Sequence, residues 1–269
     1  ICKEVFIPVT VGGGIRSLKD ANRLLSAGAD KIAINTAAVK NPSLINELVE
    51  QIGMQSIVLS VQAKKSNNSK SGWCVMVESG RENSGKDLLD WIKETEKRGI
   101  GEVLLTSVDQ DGTRKGPDEK LIDFANNNIN KPLILCGGFN SDNSIEKTLL
   151  KNKVGGVAIG ASLHKEEINV NNIKKNLISK GLKIRTSLYN YSREKEKIKG
   201  CLNGQNISIL NYGMGNLQSI FNAFDFLGAN VRITDDKLKI RNSNIIILPG
   251  VGSFQSGMEA LEDKGLIDE

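Results

Sequence analysis

The 269-residue chain holds a single histidine, His164, only five prolines and four cysteines, and 4% of its residues are aromatic. Cys2, Cys74, Cys136 and Cys201 lie far apart and form no C-x-x-C pair. That spacing excludes a disulfide frame or a zinc site, and the cysteines read as reduced cytosolic thiols, so neither a metal nor another cofactor is expected. No apolar run approaches the roughly 18–20 residues needed to span a bilayer, and no secretory signal opens the chain. A cytoplasmic protein without a membrane partner is expected. The net charge of +5 is mild, and the basic residues between Lys174 and Lys199 are interleaved with acids. A nucleic-acid arm would need a purer basic block with aromatics, so no nucleic-acid partner is expected. His164 follows an apolar strand in SLHKEE and reads as a surface or helix-capping residue.

What is present is a regular alternation. The segments PVTVGG, KIAIN, SIVLSVQ, EVLLTSV, PLILCGG and GVAIGAS are short apolar strands that end in Gly, Asn or Asp turns. Between them lie helical stretches such as SLKDANRLLSAG, SLINELVEQIG and GKDLLDWIKETEKRG, with apolar residues three and four apart. Strands apolar on both faces that alternate with helices imply parallel βα units, here in the manner of a (β/α)8 TIM barrel over residues 1–186. A polar, charged linker covers 187–205. Over 206–269, NISIL, NVRIT and NIIIL read as the strands of a second, flavodoxin-like α/β domain.

The chain also repeats itself. IPVTVGGGIRSLKDANRLLSAGADKIAINTAA overlays KPLILCGGFNSDNSIEKTLLKNKVGGVAIGAS, with Pro8 on Pro132, Gly13 and Gly14 on Gly137 and Gly138, and Ala33 and Ile34 on Ala158 and Ile159. One offset residue suffices. A barrel of two such halves leaves strands 3–8 here, with about 65–70 residues and two strands expected before Ile1. An open barrel exposes raw strand edges, so this chain is expected to be inactive alone.

Glycines at strand ends let backbone N–H groups approach an anion. Gly13 and Gly14 with Asn35 and Thr36, and Gly137 and Gly138 with Ala161 and Ser162, therefore read as two phosphate cradles. Two copies imply a ligand with two phosphates. The stretch SVDQDGT adds Asp109, Asp111 and the backbone of Gly112 at another strand end.

At these residues the chain resembles a known family. TVGGGI, DKIAINTAAVKNPSLI, EKRGIGEVLLTSVDQDGT and CGG…IGASLH are similar to the cyclase subunit of imidazole glycerol phosphate synthase. ILNYGMGNLQSIFNAFDFLGA…ILPGVGSFQSGMEAL resembles the N-terminal part of its glutaminase subunit, a class I glutamine amidotransferase. The resemblance implies a glutaminase–cyclase interface, with glutamine as the ammonia source. It also implies a bisphosphorylated ribulosyl aminoimidazole carboxamide nucleotide as substrate, cyclised to imidazole glycerol phosphate in histidine biosynthesis. Carried over by position, Gly14, Asn35 and Thr36 serve one phosphate; Asp111, Gly112, Gly138, Ala161 and Ser162 serve the other. Lys31 and Glu102 fall at the ammonia gate, and Gly250, Val251 and Gly252 on the oxyanion strand of the glutaminase. The thiol nucleophile is expected roughly 30 residues further on, beyond Glu269.

One departure concerns the chemistry. The family's cyclase uses two carboxylates as acid and base; one belongs to a strand not in this chain, and Gln62 stands at the other. An amide orients a substrate but exchanges no proton near neutral pH. Asp109, from the neighbouring strand, is the alternative carboxylate. Gln62 also opens a second expectation: a related pair that supplies ammonia to a sugar amidotransferase of surface polysaccharides, with the barrel as conduit.

Overall fold

The computed structural model describes residues 7–151, 153–185, 200–213, 217–250 and 254–267. These form two compact units that are not consecutive in sequence: the described residues within 1–34, 43–57 and 189–269 make up one, and those within 35–42 and 58–188 the other.

In the first unit, strand β1 (Thr10–Gly12) pairs parallel with β2 (Lys31–Ile34) across helix α1 (Leu18–Ser26). Helix α1 starts where it does because Ser17 and Asp20 cap each other. The Ser17 Oγ accepts the Asp20 N–H at 3.3 Å, and the Asp20 carboxylate reaches back to accept from the Ser17 hydroxyl at 2.8 Å and from the Arg16 N–H at 3.0 Å, an arrangement akin to a capping box. Helix α3 (Ser43–Ile52) buries Leu44, Ile45, Leu48 and Ile52, the spacing of a single apolar stripe. The same unit contains a three-stranded parallel sheet in the order β10 (Asn230–Thr234), β9 (Asn206–Leu210), β11 (Ile245–Ile247). Ile207 and Ile209 of the central strand are fully buried, and Leu210, Tyr212, Ile240 and Leu266 form a cluster beyond it. Helices α9 (Leu217–Phe226), α10 (Lys237–Arg241) and α11 (Phe254–Asp263) accompany these strands.

In the second unit, β3 (Ile57–Lys65), β6 (Glu102–Ser107), β7 (Leu133–Cys136) and β8 (Gly156–Ala158) run parallel in that order. Ile57, Val58, Leu59, Val61 and Ala63 are all buried, so β3 is covered on both faces, as in parallel sheets. Helices α4 (Leu88–Arg98), α5 (Glu119–Asn128), α6 (Asp142–Lys151) and α8 (Val170–Ser179) follow the strands; α2 (Thr36–Lys40) and α7 (Ala161–His164) are single short turns. The Asp87 carboxylate caps α4 through the N–H groups of Leu89 and Asp90, and Gly99 ends the helix in the left-handed conformation at φ 97°.

All six apolar strands expected in the first 186 residues are present. The sequence pattern missed a hairpin, β4 (Trp73–Val77) with β5 (Glu82–Asp87), antiparallel to each other, of which β4 pairs antiparallel with the end of β3. Its second strand, ENSGKD, has no apolar signal and is formed by pairing with the buried WCVMV strand. The helix expected from Gly85 therefore begins only at Leu88.

The internal repeat extends to the hydrogen-bond register. Gly12 faces Ala33 in one copy and Cys136 faces Ala158 in the other, as the overlay requires. Gly13 and Gly14 have φ of 104° and 69°, and Gly137 and Gly138 have 106° and 84°. Asn35 (φ −140°, ψ −92°) and Gly160 (φ −122°, ψ −82°) then turn each second strand into a short helix in the same way.

Candidate strand-end anion site

Both copies of the repeat place a left-handed glycine pair after one strand and an abrupt helical turn after its neighbour. The two copies differ in how tightly they are packed. A Cβ at Gly13 or Gly14 would meet nothing within 4 Å among the described residues, so this backbone is open. At Gly137 a Cβ would come within 2.9 Å of the Ser107 carbonyl oxygen, and at Gly138 it would run into the carbonyl of Gly116. There the turn is closed by the Gly116 N–H, which donates to the Gly138 oxygen at 2.9 Å.

The β6 turn lies against this second glycine pair. The Ser107 carbonyl accepts from the N–H groups of Gln110 and Asp111 at 3.2 and 2.9 Å, and Gly112 is left-handed at φ 72°. A Cβ at Gly137 would also come within 3.4 Å of the Asp111 nitrogen, so Asp111 lies beside the β7 turn; burial, and after it the charge of Asp111, push the Cys136 thiol at the end of β7 up. Ser162 is almost wholly buried and its hydroxyl donates to the Phe139 carbonyl at 2.6 Å. This hydroxyl ties α7 to the β7 turn, while Ala161 is exposed at the start of α7. Gly138, Asp111, Gly112, Ala161 and Ser162 thus belong to one group of neighbouring turns.

At the turn after β2, the Asn35 side-chain nitrogen donates to Gln62 Oε1 at 3.2 Å and to the Met76 carbonyl at 3.3 Å. Its Oδ1 is buried without a partner among the described residues. The Thr36 hydroxyl accepts from the Glu78 N–H at 3.0 Å. Gln62 is therefore oriented by Asn35. Asp109 is engaged elsewhere: its carboxylate accepts the Lys65 N–H at 2.8 Å, across the ends of β3 and β6. His164 is exposed at the end of α7.

Lys31 and Glu102 are the first residues of β2 and β6 respectively, and each is half-buried. Pro249 is buried after β11, and its carbonyl accepts from the Tyr212 hydroxyl. Gly250 is exposed, and a Cβ there would meet nothing within 4 Å among the described residues. Val251 and Gly252 lie outside the described residues. Sequence reasoning missed Lys40 and Glu78, which form an ion pair at 2.8 Å beside Thr36. The lysine four residues after Thr36 in TAAVK was the available signal, since i and i+4 share a helix face.

A recess of about 390 Å³ in the first unit is lined by the amides of Asn22, Gln51, Asn211 and Gln218 and contains none of the strand-end residues. Among the described residues no group of three or more His, Cys, Asp or Glu side chains is placed to hold a metal ion. No described helix is long and apolar enough to cross a membrane.

Parallel βα units with polar turns at the C-terminal strand ends fit the (β/α)8 barrel class, whose sites are built from those turns. The chain belongs to the histidine biosynthesis protein family, whose profile matches residues 1–169. It is 45% identical to the imidazole glycerol phosphate synthase subunit HisF of Wolinella succinogenes over 186 residues, 69% of this chain and 72% of that protein. It is 46% identical to the subunit of the same name from Helicobacter hepaticus over 186 residues, with the same coverage. Against the Legionella pneumophila subunit the identity is 52% over 136 residues, 51% of this chain and 63% of that protein.

Proposed function

We propose that the barrel residues bind a nucleotide carrying a phosphate at each end and host its ammonia-dependent cyclisation to imidazole glycerol phosphate. The observation that carries this reading is the repeated pair of strand-end turns, alike in register, glycine conformation and the helical turn that follows. One phosphate falls to Gly14, Asn35 and Thr36. The other falls to Asp111, Gly112, Gly138, Ala161 and Ser162, where backbone N–H groups supply fixed donors without a metal. Residues 206–269 are read as the start of a glutaminase domain, with the turn at Gly250, Val251 and Gly252 as part of its oxyanion site. The parallel 2-1-3 strand order supports a flavodoxin-like domain. Within the first unit, the Ser219 hydroxyl donates to Asp30 at 2.9 Å, one residue before Lys31. Glutaminase-type residues thus meet the strand end at which Lys31 is assigned to the ammonia path, and Glu102 is the corresponding residue on β6.

A second reading rests on Gln62. With an amide in place of the acid/base carboxylate, the barrel serves as an ammonia conduit for a separate sugar amidotransferase. Cyclisation assayed with free ammonia, in a barrel completed by two N-terminal βα units, separates the two. Turnover by that barrel with Gln62 in place supports the cyclase. No turnover there, restored by Gln62→Asp, rejects native cyclisation and leaves the conduit.

A further inference from the structure

The turn joining β4 to β5 has features that a plain hairpin does not need. Glu78 and Ser79 are consecutive non-glycine residues in the left-handed region, with φ of 48° and 60°. L side chains hold that conformation only where their surroundings fix it. Two contacts of Glu78 do so. Its N–H donates to the Thr36 hydroxyl oxygen at 3.0 Å, and its carboxylate accepts from Lys40 Nζ at 2.8 Å. Gly80 follows, and a Cβ there would stand 3.7 Å from Val108 and 3.9 Å from Gln62 Nε2, so the turn rests over the ends of β3 and β6.

An acidic side chain is thereby seated where a phosphate is expected. Thr36 and Lys40 lie four residues apart on α2 and therefore face the same side. Glu78 engages both, one through its backbone and one through its carboxylate. Both members of the ion pair are largely exposed, with 63% and 45% of their side-chain surface accessible. An exposed pair of this kind contributes little and is displaceable. A phosphate near neutral pH carries up to two negative charges against one for the carboxylate, and its three outer oxygens can accept from the lysine and the threonine hydroxyl together.

We infer that Lys40 is an additional ligand of the phosphate held at Asn35 and Thr36, and that Glu78 occupies the lysine until the phosphate displaces it. The hairpin turn is then an acidic gate over one end of the site, and the anion that opens it must outcompete a carboxylate. This rests on the reading of Asn35 and Thr36 as a phosphate cradle.

The test is isothermal titration of the full chain with a bisphosphorylated ribulosyl aminoimidazole carboxamide analogue. The variants are Glu78→Gln, Lys40→Gln and the double variant, each checked by thermal melting. Glu78→Gln keeps the N–H bond to Thr36 and should tighten binding about 3-fold, the scale of an exposed ion pair. Lys40→Gln should weaken it about 10-fold, the loss of one charge-assisted hydrogen bond. In the double variant the gain from Glu78→Gln should vanish, because the carboxylate has no lysine left to occupy. If the wild type binds and Glu78→Gln leaves Kd unchanged, or gives the same gain without Lys40, the gate is wrong and the cradle stands. If no folded variant binds the analogue, the cradle reading falls and the gate with it.

Discussion

The side-chain nitrogen of Asn35 donates to Gln62 Oε1 across 3.2 Å and also to the Met76 carbonyl. The oxygen of Gln62 is thus taken, and the group it can offer a ligand is its NH2, a hydrogen-bond donor without acid/base capacity. A carboxylate at this position would inherit the Asn35 donor, which favours its charged form. In a barrel completed by two N-terminal βα units, Gln62→Asp should therefore raise ammonia-dependent turnover at least about 10-fold by supplying a general base. KM should stay near the wild-type value, since the cradles are untouched. An equal change in kcat and KM would show that position 62 acts through binding instead.

The two glycine pairs make opposite demands on substitution. Gly14→Ala places a methyl in open space at φ 69° and should cost about 1 kcal/mol, the penalty of the left-handed conformation. Gly138→Ala adds a collision with the Gly116 carbonyl and Gln110 to the same penalty and should exceed about 2 kcal/mol. Urea unfolding of both variants measures the difference. Equal midpoints would contradict the packed geometry of the β6 and β7 turns.

Asp87 joins the loop before β4 to the start of α4. Burial alone would raise its pKa, but the N–H and hydroxyl of Ser71 and the N–H groups of Asp90 and Leu89 outweigh this and hold the carboxyl below the ordinary range. A carboxyl depressed in the folded state contributes stability that is complete above its unfolded value of about 3.9 and is lost as pH falls through the folded value. Asp87→Ala should cost about 1–2 kcal/mol at pH 7. The gap to wild type should narrow as the pH is lowered below about 4. A gap independent of pH would show that the carboxylate is not responsible.

The cysteines report on the β7 turn. Cys201 is exposed and Cys74 buried, while Cys136 is half-buried with its thiol pushed up by burial and by the charge of Asp111. With a thiol-alkylating reagent, Cys201 should react first of these three. Asp111→Asn should speed modification of Cys136 about 2- to 3-fold, because a lower pKa leaves more thiolate. An unchanged rate would place Asp111 away from the β7 turn.

The βα repeat was legible because parallel strands buried on both faces read as apolar runs, as in IVLSVQA. The glycine pairs were legible because only glycine occupies two successive left-handed positions without strain. The β4–β5 hairpin was not, since ENSGKD becomes a strand only through its partner. For the same reason Glu78 and Lys40, 38 residues apart, gave no sign of their pairing. The engagement of Asp109 by the Lys65 N–H was hidden too, because it depends on the register of β3 against β6.

The central claim is that two cradles share one doubly phosphorylated ligand. Titration of the full chain with the bisphosphorylated nucleotide analogue and its two monophosphate counterparts tests this most directly. Two cradles predict that the bisphosphate binds at least about 100-fold more tightly than either monophosphate, since the second phosphate binds intramolecularly. Equal affinity for all three would contradict the account.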